Sequence, residues 1–354
     1  PDGRRSVAAP AEPAAPPRIS RTETAMRLGE PSRDLPLIEY RPFHNTDPPK
    51  LTELWNFSRL GPGAAVEFCN DALDMLVLSE PYFDKRGLIV ACEGPEVVGF
   101  VHAGFGANAS GNGLSKDEGV ISAALVRMDY RRRGVGRELV RRAEAYLQEA
   151  GAQEIFAGES GRRDPFYLGL YGGAEAAGFL ETDPCAAPFF TALGYTPSER
   201  YLIFRRDITA KKDPFDPRCV AIKRSMKFGV MDSPPNATWW WMTRHGRFES
   251  LTFALIPNSG APAPAFITCW GMELHAANRG QRTVGLTDVY VAEQDRRKGY
   301  ARALITEVIR RLREDTVTHV EVTIRDDNSA ALGLFRSLSF EQQDAGVVYR
   351  RERG

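Results

Sequence analysis

The residues best suited to chemistry are a run of arginines and glycines in the first half of the chain: Arg131, Arg132, Arg133, Gly134, Val135, Gly136 and Arg137. The apolar run at residues 121–126 predicts a buried strand before them, and Leu139, Ala143 and Leu147 predict an amphipathic helix after them. Glycines let the backbone approach a ligand closely. The free amides and dipole of the helix start, together with the arginines, therefore predict an anion site that would suit a pyrophosphate.

The same order of residue types recurs in the second half of the chain. An apolar stretch at residues 284–291 precedes this copy, and Leu304, Val308 and Leu312 follow it at helical spacing. Neither copy matches the GxxxxGK[ST] loop of ATP-binding proteins or the GxGxxG loop of dinucleotide-binding proteins. Repetition within one chain is stronger evidence than either copy alone. The residues of the second copy that form the predicted site are Val289, Tyr290, Val291, Arg296, Arg297, Lys298, Gly299, Tyr300, Ala301 and Arg302.

A second motif also occurs twice, once downstream of each loop. Residues 328–340 read NSAALGLFRSLSF, and residues 183–195 align with them without a gap. The loops resemble motif A of the GNAT superfamily of N-acetyltransferases, and the second motif resembles its motif B, NxxAxxLYxxLGF. The resemblance covers roughly everything after residue 36. It implies an α/β fold of two tandem GNAT domains, each with a mixed, mostly antiparallel sheet, helices on both faces and a cleft between two splayed central strands.

The resemblance implies an N-acetyltransferase that uses acetyl-CoA as its acyl donor and needs no metal. Transfer to a small-molecule or peptide amine would be direct, within a ternary complex. In the family, the motif A loop cradles the pyrophosphate of acetyl-CoA. The positions carried over are the two loops named above, the strand residues Ala124, Leu125 and Val126 of the first copy, and Asn328 of motif B.

The family's general acid, where present, is a tyrosine in motif B, but both copies here have phenylalanine, Phe190 and Phe335. Neither ring can donate a proton, so protonation of the thiolate falls to water or to another residue, with Tyr167 and Tyr171 as candidates. A thiol has a pKa of about 8.5, so an acid for this leaving group helps but is not obligatory.

The general base is a carboxylate in some family members, five residues before the motif B asparagine. That position holds Thr323 here. The alternatives are Glu159, directly after the equivalent strand of the first copy, and Glu321 or Asp288 in the second. Each of them could also be a solvated carboxylate at a strand end. We predict Glu159 as the base and Tyr167 as the acid.

The first copy carries an insertion at about residues 160–182, rich in glycine and aromatic residues. We expect it above the cleft, between the strand and the motif B helix. It is either a substrate lid, in which Tyr167, Tyr171 and Glu175 face an amine, or a loop packed against the second domain. Three consecutive tryptophans at residues 239–241 indicate core packing or a domain interface.

Composition narrows the possible functions. The formal net charge of +0 and the pI near 7.4 give no global sign of nucleic-acid binding. No apolar run reaches about 18 residues, so we expect no membrane association. The five cysteines are scattered and lack metal-ligand spacing, which predicts buried thiols in a cytoplasmic protein without a metal site.

The chain divides into a disordered extension at residues 1–35, a first domain at 36–207, a linker at 208–217 and a second domain at 218–354. A strand at residues 200–205 is expected to close the first domain. The short linker predicts a monomer whose two domains pack as an intramolecular pseudo-dimer. The alternative to an enzyme is a catalytically degenerate acyl-CoA-binding sensor or scaffold, which the missing tyrosines favour.

Overall fold

The computed structural model describes residues 37–210, 213–214, 216–276 and 280–352. The predicted extension at residues 1–35 lies outside the described residues, as do residues 211, 212 and 215 of the predicted linker. Residues 38–207 are called the first half below, and residues 216–352 the second half. None of the helices in the described residues is long and apolar enough to cross a membrane.

The first half follows the predicted order of elements, with one short strand added inside the insertion. Pro48 and Pro49 stand in the first turn of its first helix, where a missing N–H costs nothing. Its elements are β1 (Ile38–Pro42), α1 (Pro48–Phe57), α2 (Asn70–Leu73), β2 (Leu88–Glu93), β3 (Glu96–Ala107), β4 (Leu114–Val126), α3 (Val135–Glu149), β5 (Glu154–Ala157), β6 (Phe179–Leu180), α4 (Ala186–Ala192) and β7 (Tyr195–Asp207).

The second half repeats the order of elements of the first half, but only one helix, α6, lies between its first two strands, where the first half has α1 and α2. Side chains of Asp216, Thr238 and Asn328 accept backbone N–H groups and so fix where three helices begin. Its elements are α5 (Pro217–Ser225), β8 (Met226–Met231), α6 (Trp239–His245), β9 (Ser250–Pro257), β10 (Ala265–Gly271), α7 (Glu273–Ala276), β11 (Thr283–Val291), α8 (Tyr300–Glu314), β12 (His319–Arg325), α9 (Ser329–Ser337) and β13 (Glu341–Arg351).

The strands of the described residues form one continuous mixed sheet in the order β1-β2-β3-β4-β5-β13-β7-β12-β11-β10-β9-β8, with β6 paired to β13. The pairs β4–β5 and β11–β12 are parallel, and the other pairs are antiparallel. Each half therefore keeps the mixed, mostly antiparallel arrangement that the repeated motifs predicted.

The sheet order shows that the two halves exchange their last strands. β13 pairs with β5 of the first half, and β7 pairs with β12 of the second half, from His319↔Asp207 to Arg325↔Tyr201. β7 and β13 also pair with each other. The expectation that the strand at residues 200–205 closes the first domain is therefore wrong, because this strand completes the opposite half.

Side chains of each exchanged strand are buried in the core of the other half. From β13, Tyr349 is buried in the first-half core and stacks on Phe190, with 5.5 Å between the ring centroids. From β7, Leu202 and Phe204 are buried with Leu286 in the second-half core. Burial of apolar surface is the main force that stabilises a fold, so neither core is complete without a strand from the other half.

Cutting the chain at Pro214 tests this exchange. We expect the two fragments, when coexpressed, to elute together as a 1:1 complex, and each fragment alone to aggregate, because an open sheet edge and an incomplete core are exposed. Affinity pull-down followed by size-exclusion chromatography and circular dichroism measures this. A single fragment that is monomeric and folded would contradict the exchange.

Candidate active site

The two arginine–glycine loops have the same backbone geometry. The glycine that precedes each helix is left-handed, with φ of 87° at Gly134 and 90° at Gly299. The residue two positions earlier is left-handed as well, with φ of 62° at Arg132 and 67° at Arg297. Such a turn leads into a helix whose first amides are free, and free amides at a helix start bind anions.

The first arginine of each loop donates a hydrogen bond to the strand that precedes the loop. Arg131 Nε donates to the carbonyl of Val126 at 2.9 Å, and Arg296 Nε donates to the carbonyl of Val291 at 3.5 Å. In the first half alone, this arginine also reaches the sulfur of Cys185, at 3.7 Å from Nη1. The two loops therefore share both their backbone conformation and their contact with the preceding strand.

Exposure differs between the two loops. The exposed predicted residues of the first loop are Arg132, Arg133, Gly134 and Arg137, while Val135 is buried and Ala124, Val126, Arg131 and Gly136 are half-buried. The exposed predicted residues of the second loop are Tyr290, Arg296, Arg297 and Lys298, while Val289, Val291, Gly299, Tyr300, Ala301 and Arg302 are half-buried. Lys298 pairs with Asp295 at 2.7 Å.

An open cleft lies in the second half, where β11 and β12 separate. The two strands pair in parallel from Thr283↔His319 to Leu286↔Val322 and diverge beyond that point. A cavity of about 1150 Å³ opens there. The predicted cofactor residues that line it are Val289, Tyr290, Val291, Arg296, Arg297, Gly299, Tyr300, Ala301, Arg302 and Asn328. The loop and the cleft therefore form one continuous site.

Side chains fill the corresponding space in the first half. Phe166 and Leu170 of the insertion pack against Leu125 of β4 in a buried cluster. Phe189 of α4 reaches the loop, because its ring lies 3.1 Å from where a Cβ atom on Gly136 would stand. The insertion is thus part of the packed core of the first half, on the side where β4 carries Leu125.

Glu159 and Tyr167, the predicted base and acid, lie in this packed interior. Glu159 is 6% exposed, and its two carboxylate oxygens accept the backbone N–H groups of Phe166 and Tyr167, each at 2.9 Å. Burial raises the pKa of Glu159 to about 7, although the nearby charge of Arg244 opposes the shift. The hydroxyl of Tyr167 lies 3.2 Å from His102 Nδ1. Through these contacts, both side chains hold the insertion in the core of the first half.

The same insertion crosses to the second half and brings Glu175 into its cleft. The backbone N–H of Glu175 donates to Thr323 Oγ1 at 3.2 Å, and the Thr323 hydroxyl lies 3.3 Å from the Glu175 carbonyl oxygen. Gly173 permits this approach, since a Cβ atom there would lie 2.9 Å from Thr323 Oγ1. Burial, followed by the negative charge of Asp288, raises the pKa of Glu175 to about 8.

The two other carboxylate candidates of the second half differ in accessibility. Glu321 is 1% exposed, and one of its oxygens accepts from Arg205 Nε and Nη2 at 3.0 and 2.6 Å. Asp288 lines the cleft with a left-handed backbone, φ 50°, and accepts from Trp241 Nε1 at 2.8 Å. Glu321 is therefore engaged in an ion pair between β12 and β7, whereas Asp288 faces the cleft.

The motif B helices carry no hydroxyl at the family's tyrosine position. Phe335 lines the second-half cleft and is 2% exposed, and Phe190 is 1% exposed in the first-half core. Asn328 accepts the backbone N–H of Ala331 at 3.1 Å and so begins α9. The asparagine of motif B is thus a helix cap at the edge of the cleft.

Arg244 forms a buried ionic contact between the halves that was not predicted from the sequence. This side chain is 3% exposed, donates to the Pro165 carbonyl at 3.0 Å, and lies 3.4 Å from Glu80 and 3.7 Å from Asp164. Trp240 Nε1 donates to Asp164 at 2.9 Å, which puts the tryptophan run at the contact between the halves. The only sequence signal is a cation four residues after Trp240, on the same helix face.

Comparisons with known proteins agree with this geometry. The acetyltransferase (GNAT) family model matches residues 52–169 and 228–340. No curated protein sequence matches the chain.

Solved structures share the fold at low sequence identity. A tandem GNAT protein from the clavulanic acid biosynthesis pathway has a TM-score of 0.61 and 18% identity, over 90% of this chain and 99% of that one. A GCN5-related glucosamine N-acetyltransferase region of a fungal multi-domain β-N-acetylglucosaminidase has a TM-score of 0.68 and 16% identity, over 89% of this chain and 38% of that one. A GCN5-related N-acetyltransferase from Sphaerobacter thermophilus has a TM-score of 0.57 and 15% identity, over 89% and 95%.

The structural role of Glu159 is testable by unfolding in urea. Glu159→Ala leaves two buried N–H groups without an acceptor, so we expect the free energy of unfolding to fall by about 2–5 kcal/mol. Glu181→Ala, at the exposed end of the insertion where Glu181 pairs with Arg200, is the control and should cost about 1 kcal/mol or less. Equal losses in the two variants would argue against an anchoring role.

Proposed function

The chain belongs to the GNAT family of acetyltransferases, and we propose that its second half transfers an acetyl group from acetyl-CoA to an amine. One observation carries the proposal: the open cleft of the second half has a helix-starting glycine loop at one end and Glu175 at the other. Acyl transfer needs a bound donor and a group that takes the amine proton, and the cleft offers candidates for both.

Residues of the second loop would hold the donor. The free amides that follow Gly299 and the exposed guanidinium of Arg297 would bind the pyrophosphate, since helix starts and arginines both favour phosphate oxygens. The cleft volume of about 1150 Å³ suits a long ligand. Bound acetyl-CoA would supply the activated acetyl thioester. Residues of the chain would hold its pyrophosphate and take the proton of the amine.

We propose Glu175 as the general base. Its backbone contacts Thr323, the position that holds a glutamate in family members with this base, so the first-half insertion would supply the carboxylate that position 323 lacks. The amine nitrogen attacks the thioester carbonyl carbon, the carbon–sulfur bond breaks, and Glu175 takes the proton that the amine loses. A base whose pKa lies near the working pH is well matched to this transfer.

The leaving thiolate needs no protein acid in this scheme. Phe335 stands at the family's tyrosine position and has no proton to give. A thiol with a pKa of about 8.5 leaves readily as the thiolate, which water can protonate. This feature distinguishes the proposed site from family members that use tyrosine.

For Glu159 and Tyr167 we propose a supporting role, in place of the catalytic roles predicted from sequence. Both hold the insertion that carries Glu175, and neither lines the second-half cleft. Residues 36–207 would then serve as a scaffold domain and residues 218–354 as the catalytic domain. The sequence also predicted that the first loop binds acetyl-CoA. Under the present proposal only the second loop binds it, and binding stoichiometry tests which of the two expectations holds.

The alternative function is that of an acyl-CoA-binding sensor or scaffold. The absence of a hydroxyl at both Phe190 and Phe335 favours it. The two functions differ in one measurement, because only the enzyme releases free thiol from acetyl-CoA in the presence of an amine.

Calorimetry of acetyl-CoA binding checks the donor site. We expect one site per chain, an affinity about 10- to 100-fold lower in Gly299→Glu, and no change in Gly134→Glu, because a carboxylate at the second loop would repel the pyrophosphate and displace its contacts. The two variants are matched controls, since both glycines have φ near 90°. Two sites per chain would show that the first loop binds acetyl-CoA as well. Loss of binding in Gly134→Glu alone would refute the assignment to the second half.

The pH profile of turnover checks the base. With a pKa of about 8, Glu175 is mostly protonated and inactive below that pH, so kcat/KM should rise as the pH increases through about 8. We expect Glu175→Gln to lose this rise and to lower kcat by about 10²- to 10⁴-fold, with acetyl-CoA affinity retained.

Glu181→Gln, in the exposed end of the same insertion, should keep both the rate and the profile. An unchanged profile in Glu175→Gln would refute the base assignment. Absence of thiol release with every primary amine tested would instead support the sensor.

A further inference from the structure

The ends of the second-half cleft carry opposite charges. The arginines that line the cleft lie at its loop end: Arg218 packs near Gly299, Arg296, Arg297 and Arg302 belong to the loop and the start of α8, and Arg325 ends β12. Two acidic residues, Glu175 and Asp288, line the other end. An anionic donor is drawn to the first end, so the second end is left for a ligand of the opposite charge.

Asp288 is held so that part of its carboxylate faces the cleft. It lies at an irregularity of β11, where the register with β10 shifts and φ is 50°. Oδ2 accepts from Trp241 Nε1 at 2.8 Å, and Oδ1 has no hydrogen-bond partner among the described residues. A fixed carboxylate with one free oxygen is suited to bind an ammonium group.

Aromatic residues lie on the elements around Asp288 and in the same cleft. Trp241 stacks on His245 at 5.1 Å between ring centroids, and Phe266 stacks on Tyr290 at 4.8 Å. Phe266 and Tyr290 both line the cleft, and Tyr290 is 45% exposed. Aromatic faces attract cations and pack well against methylene groups.

No cation neutralises this end within the described part of the cleft. Burial lowers the pKa of His245 to about 4, so its ring is neutral at physiological pH. The neighbouring Arg244 turns away to Glu80 and the Pro165 carbonyl. The negative charge of Asp288 is therefore available to a ligand.

We propose that the acceptor is a small amine with at least one additional ammonium group: the reacting amine lies at Glu175 and the second ammonium at Asp288, with the connecting methylenes against Phe266 and Tyr290. This inference rests on the proposed function, because it assumes that the cleft transfers an acetyl group. It narrows the acceptor from amines in general to polycationic amines. An acceptor with a carboxylate in place of the second ammonium would be repelled by Asp288.

Steady-state kinetics with matched acceptors tests the inference in the intact protein. The probes are 1,4-diaminobutane, 1-aminobutane and 4-aminobutanoate, which differ in the charge at one end. A hydrogen bond to a charged partner contributes about 1.5–3 kcal/mol, so kcat/KM for the diamine should exceed that for the monoamine by about 10- to 100-fold. The amino acid should be the poorest acceptor.

Asp288→Asn removes the charge and keeps the geometry. Asparagine tolerates a left-handed backbone, and its amide oxygen can still accept from Trp241. We expect the diamine to lose its advantage over the monoamine in this variant. Asp315→Asn, at the exposed far end of α8, makes the same change in net charge and should leave the preference intact.

Two outcomes separate this inference from the proposed function. Equal kcat/KM for the diamine and the monoamine in the wild-type protein overturns the inference and leaves acetyl transfer standing. If no amine is turned over although acetyl-CoA binds, the proposed function fails, and calorimetry of 1,4-diaminobutane against the protein–CoA complex then decides the inference. Binding that weakens about tenfold in Asp288→Asn supports a polycation site, and absence of binding overturns it.

Discussion

The ladder of backbone hydrogen bonds between β7 and β13 is the constraint on which the rest of the structure depends. Because each of these strands also pairs with a strand of the opposite half, the ladder fixes the register of the whole sheet. β12 is aligned on β7 so that Thr323 stands opposite Ile203, and the insertion meets β12 at that point. A slip by one residue would turn Thr323 to the other face of the sheet and separate it from Glu175.

The two halves have loops of the same geometry but differ in what lies beside the loops. The loops agree in the left-handed turn and in the arginine that contacts the preceding strand. The insertion makes the halves different, because one part of it packs in the core of the first half while Glu175 lines the cleft of the second. One segment of the chain therefore contributes both to the core of one half and to the cleft of the other.

The sequence predicted the elements and the loops because their signals are local. A run of arginine and glycine between an apolar strand and an amphipathic helix is contained within about twenty residues, and its repetition predicted two related halves. The strand exchange carries no such signal, since β7 and β13 have the same type of pattern and either could complete either half. The contact between Glu175 and Thr323 joins residues 148 positions apart, so only tertiary packing reveals it.

The exchange also sets an order of events during synthesis of the chain. The first half leaves the ribosome before the second, but the strand that lies between β5 and β7 is β13, which is made after every other strand of this sheet. Until it arrives, β5 and β7 present unpaired edges, and the aromatic ring of Phe190 lacks the tyrosine that covers it. Such long-range pairing is slow to form and leaves nascent chains open to aggregation. The first half therefore stays incomplete until the second half has been made, and removal of β13 alone would leave the half that is made earlier unfinished.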